Sequence, residues 1–410
     1  MGVTRSDMEK PFQPLRLSEG TGPALSLPVL LLHFLKIGAI GFGGGMAVIA
    51  LMEREIIVKK HVMEVEEFLH GIGLGQLLGP FAVNAALFIG SRLYGPLGGL
   101  ACAVAFIVPS VLTVVILAWL YFSFHAIPAL QNAIGGLGPV VIALILGAAW
   151  SMGRRAVRSL RSAVMAVLAL VFSLLKINAV YVLFGAGLIG LIAGTWKLGA
   201  GQLRKKQELD KKPKTSVSGS STAAVLALPA AAGVAVTSTS LASIAWVFLK
   251  TGFVFFGGGF VLVPILQQKL ETLGWLTPKE FIDGVAISNL TPGPIAVLAT
   301  FAGFHIHGVS GALVATLALF TPSLILMTFL SHGYSRVKEG PRVQDFLAGV
   351  TPAVVGMVVS AAVLLAPGTL HGLAGWCLMA AALMLLTRFR WHPAWVLAVG
   401  AVLGAVGVVR

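Results

Sequence analysis

Phe34 to Gly45 reads F-L-K-I-G-A-I-G-F-G-G-G, and Phe248 to Gly259 reads F-L-K-T-G-F-V-F-F-G-G-G. The second copy begins 214 residues after the first in a chain of 410. Each copy sets one lysine, Lys36 or Lys250, in an apolar run and closes it with three glycines, Gly43-Gly44-Gly45 or Gly257-Gly258-Gly259. A glycine costs a helix interior roughly 1 kcal/mol against alanine. A lysine in an apolar segment costs about 2.5–3.5 kcal/mol on insertion scales. Neither choice suits a helix whose only task is to span lipid.

The repeat continues past the glycines. Glu67-Phe68 and Gly71 match Glu280-Phe281 and Gly284, Gly79-Pro80 matches Gly293-Pro294, and Ala82-Val83 matches Ala296-Val297. Farther on, Pro109-Ser110 matches Pro322-Ser323 and Pro139 matches Pro352. A constant register over so long a stretch indicates two homologous halves.

Hydrophobic residues make up 57% of the chain and charged residues 11%. With a mean hydropathy of +0.93, this excludes an ordinary soluble domain and indicates an all-α polytopic membrane protein. The net charge of +14 resides in loops, where it sets topology, so no nucleic-acid partner is expected. No acid occurs between Phe68 and Gln207, between Lys211 and Leu270, or between Phe346 and Arg410. Cation pathways carry buried carboxylates; this composition suits an anion or an uncharged solute. Cys102 and Cys377 lie in apolar runs without metal or redox spacing and read as small core residues.

Residues 1–28 read as a cytoplasmic, partly disordered tail, and 29–196 as the first transmembrane half. Residues 197–222 form a basic, Ser-rich linker, and 223–410 the second half. Spans are expected at 29–52, 71–91, 96–122, 127–150, 162–176 and 178–196. The second half offers 241–266, 284–304, 308–331, 345–366, 370–387 and 392–409. The short run Ala223–Val236 decides the orientation of that half. If 223–240 crosses, then Lys269, Lys279, Arg336, Lys338, Arg342, Arg388 and Arg390 share the basic face with Arg92 and residues 154–161. The expectation is therefore twelve to thirteen transmembrane segments, with glycine- and proline-broken helices, in two inverted repeats.

Four groups of residues could carry chemistry. Lys36 and Lys250 are expected to present a pair of positive charges to a central anion; snorkelling to the interface is the plain alternative. The glycine triplets invite an unwound helix whose free N–H groups hold an anion, or else close helix packing. Thr291-Pro292-Gly293-Pro294 cannot continue a regular helix. Gln76, Gly79-Pro80 and Asn84 surround the corresponding place in the first half, and Asn289 aligns with Gln76. These amides suit oxyanion hydrogen bonding; a mere kink is the alternative. At the rim, Glu53, Arg54, Glu55, Glu67, His70, Glu280 and Asp283 are candidates for coupling to protons, or constitute a solvated interfacial helix. His305 and His307 lack the partners of a metal site, and no metal, cofactor or catalytic constellation is expected.

At these residues the sequence resembles the chromate ion transporter family. The resemblance rests on F-G-G-G followed by Arg54-Glu55, on E-F-L-x-G, on G-P-F-A-V-N and T-P-G-P-I-A-V, and on the P-S pair. It covers both halves. The family exports chromate, a tetrahedral dianion similar to sulfate. The resemblance implies a multi-pass protein of the bacterial inner membrane, coupled to protons or to the membrane potential. Departures are Leu78 where many members carry proline, Lys269 at the place of the R-E glutamate, and Leu298 opposite Asn84. The partners expected are chromate or a related oxyanion, protons, the lipid bilayer and a second copy of the chain. A sulfate or general oxyanion carrier is the rival reading, and a non-transport interaction or lipid-handling protein stands below it.

Overall fold

A computed structural model describes residues 25–42, 44–124, 128–193, 240–255, 259–332, 341–370, 372–389 and 391–407. The tail before residue 25, Gly43, Gly257, Gly258, the linker 197–222 and the run 223–236 lie outside them. The elements of the first half are α1 (Leu27–Ile40), α2 (Gly44–Met52) with a π-helical extension (Glu53–Val58), α3 (Val65–Leu77), α4 (Phe81–Phe124), α5 (Pro128–Ala156) and α6 (Leu160–Leu174), then α7 (Ala179–Ala193). Those of the second are α8 (Leu241–Val254), α9 (Leu262–Thr272), α10 (Pro278–Leu290), α11 (Leu298–His332), α12 (Pro341–Leu365), α13 (Gly372–Thr387) and α14 (Pro393–Ala405).

The expected spans 29–52, 71–91, 241–266 and 284–304 are not single crossings. Helix α1 has 14 residues, a rise of ~21 Å at 1.5 Å per residue, which falls short of the ~30 Å hydrocarbon core. It packs along the second arm of α4, with Gly38 against Phe106 and the Tyr94 hydroxyl on the Leu25 carbonyl at the outer end. The chain then turns at Gly41 and climbs back through α2. Helix α3 descends again beside the first arm of α4. Glu67 pairs with Arg92 at 2.5 Å, Gly71 packs on Phe88, and Gly75 packs on Asn84.

Helix α4 is itself folded. Gly95 has φ 73°, a conformation that glycine adopts without a Cβ penalty. The arms on either side close on one another, with Gly90 against Gly98 and Cys102. Helix α11 repeats this fold at His307 and Gly308, where the Thr300 and Thr316 hydroxyls lie 2.8 Å apart across the arms. Each half therefore sends two re-entrant hairpins to the centre. The second arm of α4 or α11 and three further helices then follow. Among the described residues four helices are long and apolar enough to cross a membrane, Phe81–Phe124, Gln131–Ala156, Ile295–Phe329 and Gln344–Gly368, and six shorter apolar helices accompany them.

The halves are inverted. Helix α5 packs antiparallel on α14, with Asn132 against Gly404 and Gly136 against Gly400. Helix α12 packs in the same way on α7, with Asp345 against Gly190 and Gly349 against Ala186. Each half thus receives the last helix of the other. The short α6–α7 hairpin returns α7 to the face where α5 ends, and α12 begins there, so α5 and α12 run in opposite senses.

Lys59, Lys60, Arg92, Arg154, Arg155, Arg158, Arg161 and Arg388 share one face. Lys269 and Lys279 do not join them as expected. Gln268 donates to the Lys176 and Ile177 carbonyls at 3.0 and 2.8 Å, which places the end of α9 with Lys176 on the opposite face. The positive-inside bias assigns the Arg154 face to the cytoplasm.

Bilayer-facing surface is extensive: Leu97, Leu112, Ile116 and Trp119 on α4 are exposed. Cys102 is buried, but Cys377 is exposed and is not the core residue its apolar run suggests. In a background lacking both cysteines, K60C and S159C should be labelled by impermeant maleimide from the same side, and K279C only from the other. Opposite labelling of K60C and S159C would restore a full crossing at 29–52.

Candidate functional site

The four breaks meet at the centre, each touching the opposite half. The Gly293 N–H donates to the Gly41 carbonyl at 2.9 Å. Reciprocally, a Cβ on Gly79 would collide with the Phe255 carbonyl. Gly79 and Gly293 have φ of 94° and 102°, so both positive φ and close approach require glycine there. Pro80 and Pro294 then begin the ascending arms. The helical turns that follow, with 3₁₀ segments at Gly259–Val261 and Ile295–Val297, direct helix N-termini at the same region. Gly45 packs on Phe81 and Gly259 on Ile295, fixing the two breaks of each half against one another. Pro292 and Gly293 leave a turn that Thr291 closes, its Oγ1 donating to the Ser288 carbonyl at 2.9 Å.

Ser110 and Ser323, on the second arms of α4 and α11, are candidate site residues that residue-level reading passes over. The signal was the repeated P-S pair. Both are fully or almost fully buried. Ser323 Oγ lies 2.8 Å from the Leu78 carbonyl and 2.9 Å from Asn84 Oδ1, and the Asn84 amide donates to the Gly75 carbonyl at 3.3 Å. Ser110 occupies the symmetry-related place beside Gly293, yet its hydroxyl has no partner among the described residues. An unsatisfied buried polar group costs about 1–3 kcal/mol. Divergence of the halves produced this difference: Asn84 ties down one serine, and the aligned Leu298 offers nothing to the other.

The other expected residues fall into three sets. Asn84, Gly79, Pro80, Thr291, Pro292, Gly293 and Pro294 come together. Asn289 is half-buried and donates to its own helix at Val285, 2.8 Å away. Gln76 lies on α3 near the break, and Gly44 starts α2 there. Lys36 and Lys250 are not brought to the centre. Lys36 is exposed on the face of α1 that carries Leu32 and Leu35, and Lys250 is exposed on α8, its ammonium 4.3 Å from the Trp246 ring. The buried stripes of these helices, Phe34-Ile37-Gly38 and Phe248-Thr251-Gly252, face inward instead.

Among the coupling candidates, Glu55 is tied to Arg54 at 3.1 Å and Lys59 at 2.8 Å, and Glu67 to Arg92. Glu280 caps α10 through Thr277. Glu53 is half-buried, and His70 lies on α3. Asp283 is buried. Its Oδ2 accepts from the Tyr121 hydroxyl at 2.7 Å, across the halves, and Tyr121 packs against Phe122 and Phe301.

Broken hairpins from two inverted halves, meeting at the centre, define a polytopic membrane protein of a plan common among transporters. The Chromate transporter family model matches residues 29–191 and 242–405, and the chain belongs to that family. It is 31% identical to a probable chromate transport protein of Synechococcus elongatus, over 86% of this chain and 87% of that one. It is 29% identical to a chromate transport protein of Cupriavidus metallidurans, over 93% and 94%. An uncharacterized transporter of Methanocaldococcus jannaschii is 24% identical over 87% and 86%. No solved structure matches the chain.

The packing at Gly79 separates two costs. Gly95→Ala meets open space and should bear only the positive-φ cost, about 1 kcal/mol. Gly79→Ala adds a backbone collision and should lower the melting temperature of the purified protein several degrees further. Equal melting of the two variants would mean that the halves do not touch there.

Proposed function

We propose that this chain exports chromate across the bacterial inner membrane as a secondary transporter, with the dianion held where the four breaks converge. The observation that carries this reading is the Ser110 hydroxyl beside Gly293, buried and without a partner among the described residues, at the meeting of helix N-termini. A hydroxyl can donate to an oxyanion, and helix N-termini stabilise negative charge without adding a titratable group. The membrane potential, negative inside, favours exit of the dianion by about 2.3 kcal/mol per charge per 100 mV. The pairing of Asp283 with Tyr121 supports a second role. A buried carboxyl between the halves, at the face opposite Arg154, can take up a proton when that face opens and so link proton movement to the change of access. Lys36 and Lys250, on the outer faces of α1 and α8, are read as anchors of those helices in the bilayer.

A hydrogen bond to a charged group is worth about 1.5–3 kcal/mol. Ser110→Ala should therefore raise the chromate KM about tenfold or more in everted vesicles, while Ser323→Ala should mainly lower stability. Energy-dependent accumulation of radiolabelled chromate that survives excess sulfate supports the proposal. Accumulation abolished by equal sulfate makes the protein a general oxyanion carrier. No accumulation by folded protein removes the reading. Asp283→Asn should abolish the response to an imposed pH gradient and leave potential-driven transport measurable; an unchanged response assigns coupling elsewhere.

A further inference from the structure

The cavity between α5, α12 and α13 lies away from the central breaks and has a volume of about 660 Å³, within the ~300–1,000 Å³ range of ligand pockets. Its depth is lined by Leu146, Ala149, Val359 and Leu383, and its rim by Trp150 and Arg154. From Leu146 to Val157 the groove follows α5 for ~16 Å at 1.5 Å per residue, about half of the ~30 Å hydrocarbon core. It is thus one leaflet deep, apolar inside and basic at one end.

That end carries the clearest charge signature of the described surface. Arg154, Arg155, Arg158 and Arg161 are all exposed, and Arg154 makes no ion pair among the described residues. Arg388 directly follows Thr387, which lines the same cavity. Trp150 is 62% exposed, as suits a residue at the level of lipid headgroups. A free water-soluble anion would use the arginines but leave the apolar groove unfilled. An uncharged acyl lipid would fill the groove but leave Arg154 unpaired.

We propose that this groove is a binding site for an anionic glycerophospholipid of the cytoplasmic leaflet. One acyl chain lies along α5, and the phosphate rests against Arg154, with Arg388 and Arg155 beside it. Basic pockets between membrane helices on the cytoplasmic side suit such headgroups. The lipid would also join the halves, since α5 belongs to the first and α12 and α13 to the second.

Native mass spectrometry of the purified full chain, supplied with phosphatidylglycerol or phosphatidylcholine, tests the site. Wild type should retain phosphatidylglycerol at least fivefold over phosphatidylcholine. Arg154→Gln should remove that preference, and Arg161→Gln, outside the groove, should preserve it. Gly153→Leu fills the groove while keeping every charge, and it should lower retention of both lipids. A Cβ at Gly153 meets only Val355 Cγ1, at 3.5 Å, so the backbone has room for the first atom of the added side chain. Equal retention of the two lipids by wild type, an unchanged preference in Arg154→Gln, or an equal loss in Arg161→Gln would each overturn the assignment.

Discussion

Backbone N–H and C=O groups cannot be left unsatisfied within a bilayer, and this chain opens four helices at its centre. The structure resolves the conflict by bringing the breaks together. The Gly293 N–H is satisfied by the Gly41 carbonyl of the other half, and Gly79 approaches Phe255 in the reciprocal contact. Neither half can bury its own breaks, so the paired assembly is the smallest unit in which the irregular backbone is shielded from lipid.

The exchange of terminal helices reinforces this dependence. Helix α5 of the first half packs on α13 and α14, and α12 of the second packs on α6 and, through Gly349 against Ala186, on α7. Small residues line these contacts, as expected where backbones approach closely without a hydrophobic driving force. The inverted halves are therefore interleaved at both their centres and their ends. A rearrangement that exposes the centre to one face must slide or tilt the broken hairpins against this interleaved frame.

Near-symmetry makes the asymmetries informative. Ser323 is held by Leu78 and Asn84, whereas Ser110 has no partner among the described residues. Asp283 pairs with Tyr121, whereas the position aligned with it in the first half is His70. The first half thus supplies Ser110 and also the groups that hold Ser323 of the second. The buried carboxyl lies toward the opposite face.

The sequence by itself determined a great deal. Composition fixed an all-α membrane protein, and a constant offset between F-L-K and G-G-G motifs fixed two halves. The glycine and proline clusters marked the breaks, because those residues are poor in helix interiors whatever surrounds them. The basic loops indicated inversion. Only the tertiary structure decided that the broken elements turn back rather than cross, since hydropathy reports burial in lipid and carries no record of chain direction. It also decided which side of each short helix faces inward, which moved Lys36 and Lys250 to the outer surface. The roles of Ser110 and Ser323 depend on contacts between residues more than two hundred positions apart, and local sequence cannot encode which hydroxyl such contacts leave free.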